Sequence, residues 1–344
     1  MNMKGKGADS INDPNNKWNH INQIMRENKI GVLTLQETHT SDEQLEKIQT
    51  LFQRQLVIHN SADPGNPTGK GGVAIILNKG LTNVKGIEVK EIVPGRALLL
   101  SHPWHDNKTF TFLAIYAPAG SNREKIDFWK GLTETWEQRR LPVEETIDLI
   151  DAFRTFRQKF TVIDGWREFH PLEKGYSFVH QSNCSRSRID RIYTNEEILR
   201  NSREWEIIDP PINTDHKLVM TTIIDPQMPI IGDGRWAIPQ LVLKSKEYLR
   251  KVTELGAELE QEIEKQAKEP NTRTNAQNIQ ILYKDFKMEC TAEARKIAKK
   301  IVLRAKVKIK ELEQERKHIL NNDEISNEEK ILQKDMQSQF TPEQ

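Results

Sequence analysis

Hydrophobic and polar positions change their spacing repeatedly along the first 225 residues. Short, nearly continuous apolar runs of strand length alternate with stretches in which apolar residues recur every three or four positions, as on one face of a helix. The predicted strands lie at residues 30–35, 57–58, 73–77, 84–93, 97–100, 110–116 and 218–224. The predicted helices lie at residues 14–28, 41–52, 123–136 and 143–160. This mixture predicts an α+β fold, two sheets packed face to face with helices outside.

The spacing changes after residue 225. Gly232-Asp233-Gly234 marks a boundary, and from about Lys244 onward the chain is rich in Lys, Glu and Gln, with apolar residues at helical spacing. Sustained apolar stripes with charged flanks predict long helices or a coiled coil. We therefore predict two domains, one at residues 1–225 and a helical, charged tail or linker at residues 226–344.

Composition limits the compartment more than it limits the function. Lys and Arg number 51 against 50 Asp and Glu, so no overall field favours nucleic acid or a membrane. The two cysteines, Cys184 and Cys290, fit neither a disulfide framework nor a paired metal-ligand spacing. No apolar run has the length of a membrane span, and the first residues lack the apolar core of a signal peptide. These features predict an intracellular protein, nuclear or cytoplasmic, that is neither secreted nor inserted in a membrane.

Positive charge is concentrated locally in the tail. Between Arg295 and Lys310 there are eight basic residues and no acidic one. Such a density of positive charge suits binding to the phosphate backbone of a nucleic acid. The alternative interpretation is that these residues only form the solvated face of a helix. The predicted partner of residues 295–320 is therefore nucleic acid or another helix.

Two acids and a histidine lie beside apolar segments of the first domain. Asp190 stands in Ser-Arg-Ser-Arg-Ile-Asp-Arg-Ile-Tyr, which reads as a strand buried on both faces, and Asp215-His216 precedes another apolar segment. An aspartate beside a histidine can hold the imidazole in one tautomer, an arrangement that acid–base or phosphate chemistry uses. The bland alternative pairs Asp190 with Arg188 or Arg191 and leaves His216 to cap a turn.

Five short motifs of this kind follow one another along the chain. They are Asn2-Met-Lys-Gly, Leu-Gln-Glu37, Ile-Tyr116-Ala-Pro, Ser-Arg-Ile-Asp190-Arg-Ile-Tyr and Thr-Asp215-His216. Each is weak alone, but the ordered set is fairly specific. In this order they resemble the endonuclease/exonuclease/phosphatase superfamily, which includes the DNase I-like nucleases and the abasic-site endonucleases. Asn-Lys-Trp-Asn-His-Ile-Asn and Asp-Gly-Trp-Arg further resemble the endonuclease region of fungal non-LTR (LINE-type) retrotransposons.

The resemblance covers roughly residues 1–225 and implies a DNase I-like, four-layer α/β/β/α sandwich. The implied activity is that of a phosphodiesterase that depends on Mg²⁺ (or Mn²⁺) and nicks DNA, in this case as the endonuclease of a retrotransposon by descent. In this resemblance Glu37 and Asn2 would place the metal ion, and Tyr116 would donate a hydrogen bond to the phosphate.

The remaining site residues are assigned by the same resemblance. His216 would bind the scissile phosphate or act as the base, with Asp190 orienting it, and Asp215 would lie near the ion or bind water. Basic residues would contact the flanking DNA phosphates, which position a duplex without reading its sequence. These are Arg96, Arg186, Arg188 and Arg191.

One motif of the family is absent. A Gly-Asp-x-Asn strand end, whose aspartate aligns or activates the attacking water and whose asparagine holds the phosphate, does not occur between Tyr116 and Asp190. Residues 137–142 are too short for a strand and two connections. We infer an internal deletion near residues 137–142 and a shortened strand before Asn2. The sequence thus predicts an incomplete sandwich and an inactive or impaired enzyme.

Two other functions fit the sequence. A non-catalytic nucleic-acid-binding or coiled-coil protein could act through the basic helical tail. A phosphatase for a small phosphorylated substrate would share the superfamily's site, although the arginines around Asp190 favour a polyanion.

Overall fold

A computed structural model of the chain describes residues 1–8, 10, 13, 15–104, 108–137, 148–180, 185–225, 236–268, 274, 278–321 and 325. Its contacts divide the chain into two compact units, Met1–Met228 and Pro229–Gln344. The predicted boundary at Gly232-Asp233-Gly234 and the predicted deletion near residues 137–142 lie outside the described residues, apart from Glu137.

The first unit alternates strands and helices. Its strands are β1 (Val32–Gln36), β2 (Leu56–Ser61), β3 (Val73–Asn78), β4 (Glu88–Val93), β5 (Ala97–Pro103), β6 (Thr109–Ile115), β7 (Ile163–Asp164), β8 (Phe178–Val179), β9 (Arg186–Ser187), β10 (Tyr193–Thr194), β11 (Ser202–Ile208) and β12 (Leu218–Ile223). Its helices are α1 (Lys17–Glu27), α2 (Asp42–Phe52), α3 (Asn122–Glu137), α4 (Leu149–Lys159), α5 (Gly165–Phe169) and α6 (Glu196–Arg200).

Two antiparallel sheets form the centre of this unit. The first has the strand order β1-β3-β2, and Asn2 adds a parallel bridge to Gln36 at its β1 edge. The second has the order β4-β5-β6. The glycine-rich loop from Gly69 to Gly72 belongs to a hairpin connection, because β2 and β3 pair antiparallel on either side of it.

The apolar run of β3 is continuous because both faces of this central strand are buried. Val73 and Ile75 pack towards the second sheet, against Leu98 and Leu100 of β5. Ile76 packs on the opposite face, in the core that α1 covers. One face of β3 therefore belongs to the core between the two sheets, and the other face belongs to the core under α1.

Helices cover the outer face of each sheet. Helix α1 begins at Lys17, where the Asn16 side chain accepts a hydrogen bond from the backbone of Asn19. Helix α2 begins with a capping box, in which Ser41 and Gln44 hydrogen-bond each other's backbone. These two helices lie on the first sheet, and α3 and α4 pack on the second through a cluster of aromatic and aliphatic side chains. Its members include Leu132, Trp129, Phe153 and Phe156. The unit thus has four layers, α/β/β/α, as predicted.

The strands after β6 do not extend the second sheet among the described residues. In the part of the chain that the structure describes, β6 pairs with β5, whereas β7 and β10 pair with each other in a separate two-stranded ladder. Residues 138–147, which connect α3 to α4, lie outside the described residues. The deletion therefore stays a prediction.

The segment around Asp190 differs from the prediction of a strand buried on both faces. Residues 188–192 form no strand, and Ile189 is 59% exposed. Arg188 and Asp190 point inward to polar partners, and their alternation turns Ile189 towards solvent. The prediction of full burial is also wrong for β12, where Ile223 is 40% exposed.

The second unit is helical. Helices α7 (Gln240–Leu243), α8 (Lys246–Lys268) and α9 (Ile279–Asn321) confirm the predicted long helices. Their core contains Val242, Tyr248, Ala294, Ile297 and Ala298. Among the described residues, no helix is long and apolar enough to cross a membrane.

One titratable side chain inside the first unit leads to a stability prediction. His59 lies opposite Ile75 in the β2–β3 ladder, so the two side chains share one face of the sheet. Its Nε2 atom is buried without a hydrogen-bond partner, and burial lowers the pKa of His59. The unfolded chain then binds a proton that the folded chain resists, so the free energy of unfolding falls as pH drops below about 6.5.

We expect the melting temperature to fall between pH 7.5 and pH 5.5, and we expect His59→Leu to make that fall smaller. Thermal unfolding followed by circular dichroism at both pH values measures it. His318→Leu, which replaces an exposed histidine of α9, serves as the control. An unchanged pH dependence in His59→Leu would show that His59 does not contribute.

Candidate active site

The site begins with an unusual backbone conformation at the end of β1. Glu37 has a φ of +52°, in the left-handed region that non-glycine residues rarely adopt. The chain then packs onto Gly72, whose φ is +88°. A Cβ at Gly72 would lie 2.3 Å from Thr38 Oγ1, so only glycine allows this approach. Strain of this kind is typical of functional positions, and here it fixes the direction of the Glu37 side chain.

The Glu37 carboxylate joins three of the residues predicted from sequence. Asn2 Nδ2 and the Tyr116 hydroxyl both donate to Glu37 Oε1, at 2.9 and 2.7 Å. Burial, followed by the hydrogen bond to Glu37, raises the pKa of Tyr116 to about 12. Tyr116 is therefore a protonated donor at neutral pH. No hydrogen bond to Glu37 Oε2 is found among the described residues.

A hard divalent cation fits this donor set. Mg²⁺ prefers one or two carboxylates together with several water molecules, and Glu37 Oε2 offers one such oxygen. The Asn2 carboxamide lies beside it, with Oδ1 accepting from the backbone of Lys4 at 2.9 Å. In the described part of the chain no group of three or more His, Cys, Asp or Glu residues could hold a metal. An ion here would therefore take most of its ligands from water and substrate.

The second half of the site is the pair of His216 and Asp190. His216 Nδ1 lies 2.7 Å from Asp190 Oδ2, and the two side chains are only 10% and 6% exposed. Asp190 is held in turn by its backbone N–H, which donates to Ser177 Oγ. The ring of Phe178 lies 4.8 Å from the imidazole. Asp190 therefore orients His216, and this arrangement leaves Nε2 as the imidazole nitrogen that can act on a substrate.

Asp215 lies next to this pair. Its Oδ1 is 4.0 Å from His216 Nε2, and its Oδ2 accepts a hydrogen bond from Lys4 Nζ at 3.0 Å. Burial acts to raise the pKa of Asp215, but the hydrogen bond and charge of Lys4, a backbone hydrogen bond and the charge of His216 together lower it. Asp215 is thus a carboxylate at neutral pH.

Three residues that the sequence did not single out connect the two halves. Lys17 Nζ donates to the carbonyl oxygens of Met3 and Lys4, at 2.6 and 3.0 Å. Thr214 Oγ1 donates to the carbonyl oxygen of Asn2 at 3.0 Å. Lys4 makes the third link through Asp215. Lys4 and Thr214 belong to the short motifs at Asn2 and Asp215, and this was the one sequence feature that could have indicated them. Their contacts join positions about 210 residues apart, which local patterns do not predict.

Arg96, one of the four arginines predicted to contact DNA phosphates, lies beside Tyr116. Its guanidinium is 4.6 Å from the centre of the Tyr116 ring, and its Nη1 atom is buried without a hydrogen-bond partner. An unpaired buried donor is costly unless a ligand satisfies it. This geometry suits an anion bound next to Tyr116.

The other three arginines differ in their surroundings. Arg188 forms a bidentate ion pair with Asp164. Its Nη1 and Nη2 atoms donate to Oδ1 and Oδ2 at 3.0 and 2.6 Å, and both side chains are about one-tenth exposed. Such a buried pair ties the Asp190 segment to β7, and it does not fit the predicted phosphate contact. Arg186 lies over the Tyr176 ring at 4.9 Å. Arg191 also approaches Asp164, with Nη1 at 3.8 Å from Oδ2, but it is 38% exposed.

The hydrogen bonds from Lys17 to the Met3 and Lys4 carbonyl groups lead to a prediction. Lys17→Met keeps the length of the side chain but removes the donor to two backbone carbonyls. We expect the free energy of unfolding to fall by about 1–2 kcal/mol, as for a charged hydrogen bond, measured by urea unfolding. Lys47→Met, which removes an exposed pair with Glu43, should change it by less than about 0.5 kcal/mol. Equal changes in the free energy of unfolding for the two variants would show that the Lys17 hydrogen bonds do not stabilise the fold.

Comparison of the sequence with known proteins gives one informative relative. No family model matches the chain. A curated relative is the uncharacterized 149 kDa protein of transposon TX1 from Xenopus laevis, 25% identical over 228 residues. The match covers 60% of this chain and 17% of that protein, so the chain spans about a sixth of the length of its curated relative.

Comparison of the structure gives related folds. The AP endonuclease LMAP from Leishmania major superimposes with a TM-score of 0.53 and 15% identity, covering 65% of this chain and 86% of that chain. The endonuclease domain of TRAS1, a telomere-specific non-LTR retrotransposon, gives a TM-score of 0.43 and 11% identity, covering 66% and 97%. The first unit has a DNase I-like fold, and part of the chain is similar in sequence to a transposon protein.

Proposed function

We propose that the first unit is a divalent-metal-dependent phosphodiesterase that nicks DNA, descended from the endonuclease of a retrotransposon and impaired in rate. The observation that carries this proposal is the convergence of Glu37, Asn2 and Tyr116 with the His216–Asp190 pair through the segment at residues 2–4. The DNase I-like fold and the similarity to a transposon protein support it.

The residues present match the needs of phosphodiester hydrolysis. A bound Mg²⁺ or Mn²⁺ would polarise the phosphate oxygens and stabilise the developing negative charge. Glu37 and Asn2 would hold that ion, and Tyr116 would donate its hydroxyl proton in a hydrogen bond to the phosphate. Arg96 Nη1, buried and unpaired beside Tyr116, would donate to the same anion.

His216 and Asp215 would act on the other side of the phosphate. Asp190 accepts a hydrogen bond from Nδ1 of His216, which directs Nε2 to the substrate. Nε2 can bind the phosphate when protonated or accept a proton from the attacking water when neutral. The Asp215 carboxylate, 4.0 Å away, would orient that water or favour the charged imidazole.

A DNA backbone is the substrate that the charges favour. Arg186 and Arg191 belong to the same short segment as Asp190, and Arg96 lies beside Tyr116. Several cations around one phosphate site suit a polyanion better than a small monophosphate, because flanking phosphates need partners. Arg188 is excluded from this role by its pair with Asp164.

The proposed impairment rests on sequence. The chain lacks Gly-Asp-x-Asn between Tyr116 and Asp190. The aspartate that would align the attacking water in the family that the sequence resembles is therefore missing from this interval. Loss of one positioned acid or base typically lowers a rate by about a hundred-fold to ten-thousand-fold. His216 and Asp215 would then carry the chemistry at a reduced rate.

Plasmid nicking by the purified full-length chain tests the proposal. We expect slow nicking with Mg²⁺ and none with EDTA, because the phosphate charge needs the ion. His216→Ala should lower the rate by a further hundred-fold or more. His318→Ala should leave it unchanged. Nicking that persists in EDTA or in His216→Ala would reject the proposed site.

Restoring the missing motif tests the impairment. A variant with a strand ending in Gly-Asp-x-Asn inserted between Arg139 and Leu141 should nick at least a hundred-fold faster than the natural chain. An otherwise identical insertion ending in Gly-Ala-x-Ala serves as the control. Fast nicking by the natural chain, or equal rates of the two insertions, would contradict the impairment.

A further inference from the structure

The second unit carries a row of cations on the side of α9 that faces away from its own core. Ala294, Ile297 and Ala298 of α9 are buried in that core. With 3.6 residues per turn, five exposed basic side chains of residues 295–310 fall on the opposite half of the helix. They are Arg295, Lys296, Lys299, Lys300 and Lys310, and together they are called the basic face.

Several cations of the basic face are available to a ligand. No ion pair or hydrogen bond engages the Lys299 or Lys310 ammonium group in the described part of the chain. Lys296 and Lys300 contact Glu293 and Glu247, both at more than 3.2 Å, and remain more than half exposed. Exposed pairs of this kind contribute little and exchange readily for a stronger anion.

Arg295 is fixed at the N-terminal end of this face. Its guanidinium lies 5.3 Å from the centre of the Trp236 ring, and Trp236 is 40% exposed. This contact ties the segment before α7 to α9 within the second unit. Arg295, Lys296, Lys299 and Lys300 therefore lie on the part of α9 that packs in the core, which extends to Val302.

We infer that the basic face is a second nucleic-acid site, distinct from the proposed nuclease site, and that its ligand is the phosphate backbone of duplex DNA. The face runs for about 22 Å along one continuous helix, at 1.5 Å per residue. A rigid row of cations matches a rigid duplex, whose backbone supplies the affinity without sequence recognition.

Two rival ligands are less compatible with this face. Sites for single strands are lined by aromatic rings on which successive bases stack, and no aromatic residue occurs between Lys296 and Lys310. Leu303 and Val307, 62% and 50% exposed, could contact another helix. A second copy of this chain would, however, bring like charges together, because residues 295–310 contain no acid.

Binding measurements on the full-length chain in EDTA test the inference without requiring nuclease activity. Fluorescence anisotropy would follow a labelled 24-base-pair duplex and an RNA strand of equal length over a range of salt. The test variant is Lys296→Gln, Lys299→Gln and Lys310→Gln, since glutamine keeps helix propensity. The control variant is Lys246→Gln, Lys265→Gln and Lys268→Gln, which removes the same charge from exposed positions of α8.

We expect the test variant to bind the duplex at least ten-fold more weakly, with a salt slope smaller by about 2 to 3, close to 0.9 for each lost phosphate contact. The control variant should bind as the natural chain does. Equal losses in both variants, no loss in the test variant, or tighter binding of the RNA would overturn the inference. So would self-association on size-exclusion chromatography that Leu303→Ser with Val307→Ser abolishes. Because no turnover is measured, failure here is separate from failure of the nicking proposal.

Discussion

The hydrogen bonds of the segment at residues 2–4 hold the candidate site together. Asn2 donates to Glu37, its carbonyl oxygen accepts from Thr214, and Lys4 reaches Asp215. One short piece of backbone thus positions both the Glu37 carboxylate and Asp215, the acid beside His216. Lys17 fixes that backbone by binding its carbonyl groups. If this segment moved, Glu37 and Asp215 would no longer be held at a fixed distance from each other by the same stretch of backbone.

The strands that follow β6 pair with one another in the described part of the chain. The described part of β6 pairs with β5, and β7 and β10 form their own ladder. The buried pair of Arg188 and Asp164 attaches the Asp190 segment to that small ladder. Replacement of either partner alone would leave a buried charge uncompensated, which is usually costly. An arginine that looked suited to DNA is thus explained as part of the support for Asp190.

Much of the fold and part of the site could be predicted from local patterns. The continuous apolar run at residues 73–77 predicted a strand, and the helical spacing of apolar residues at 41–52 predicted α2. The same reasoning was wrong near Asp190, because Ile189 and Ile192 suggested a buried strand. Two inward polar side chains, each with its own partner, instead turned Ile189 outward. Apolar content alone did not reveal that alternation.

The sequence by itself determined the identities and order of Asn2, Glu37, Tyr116, Asp190 and His216, since short-range patterns place polar residues at strand ends. It also determined the charge of α9. Only the tertiary structure decided which partner each polar group takes. Asp190 meets His216 rather than an arginine, and Lys4 meets Asp215 from 211 residues away. The physical reason is that a buried charge takes the partner that packing brings within hydrogen-bond distance, and packing joins residues that local patterns cannot connect.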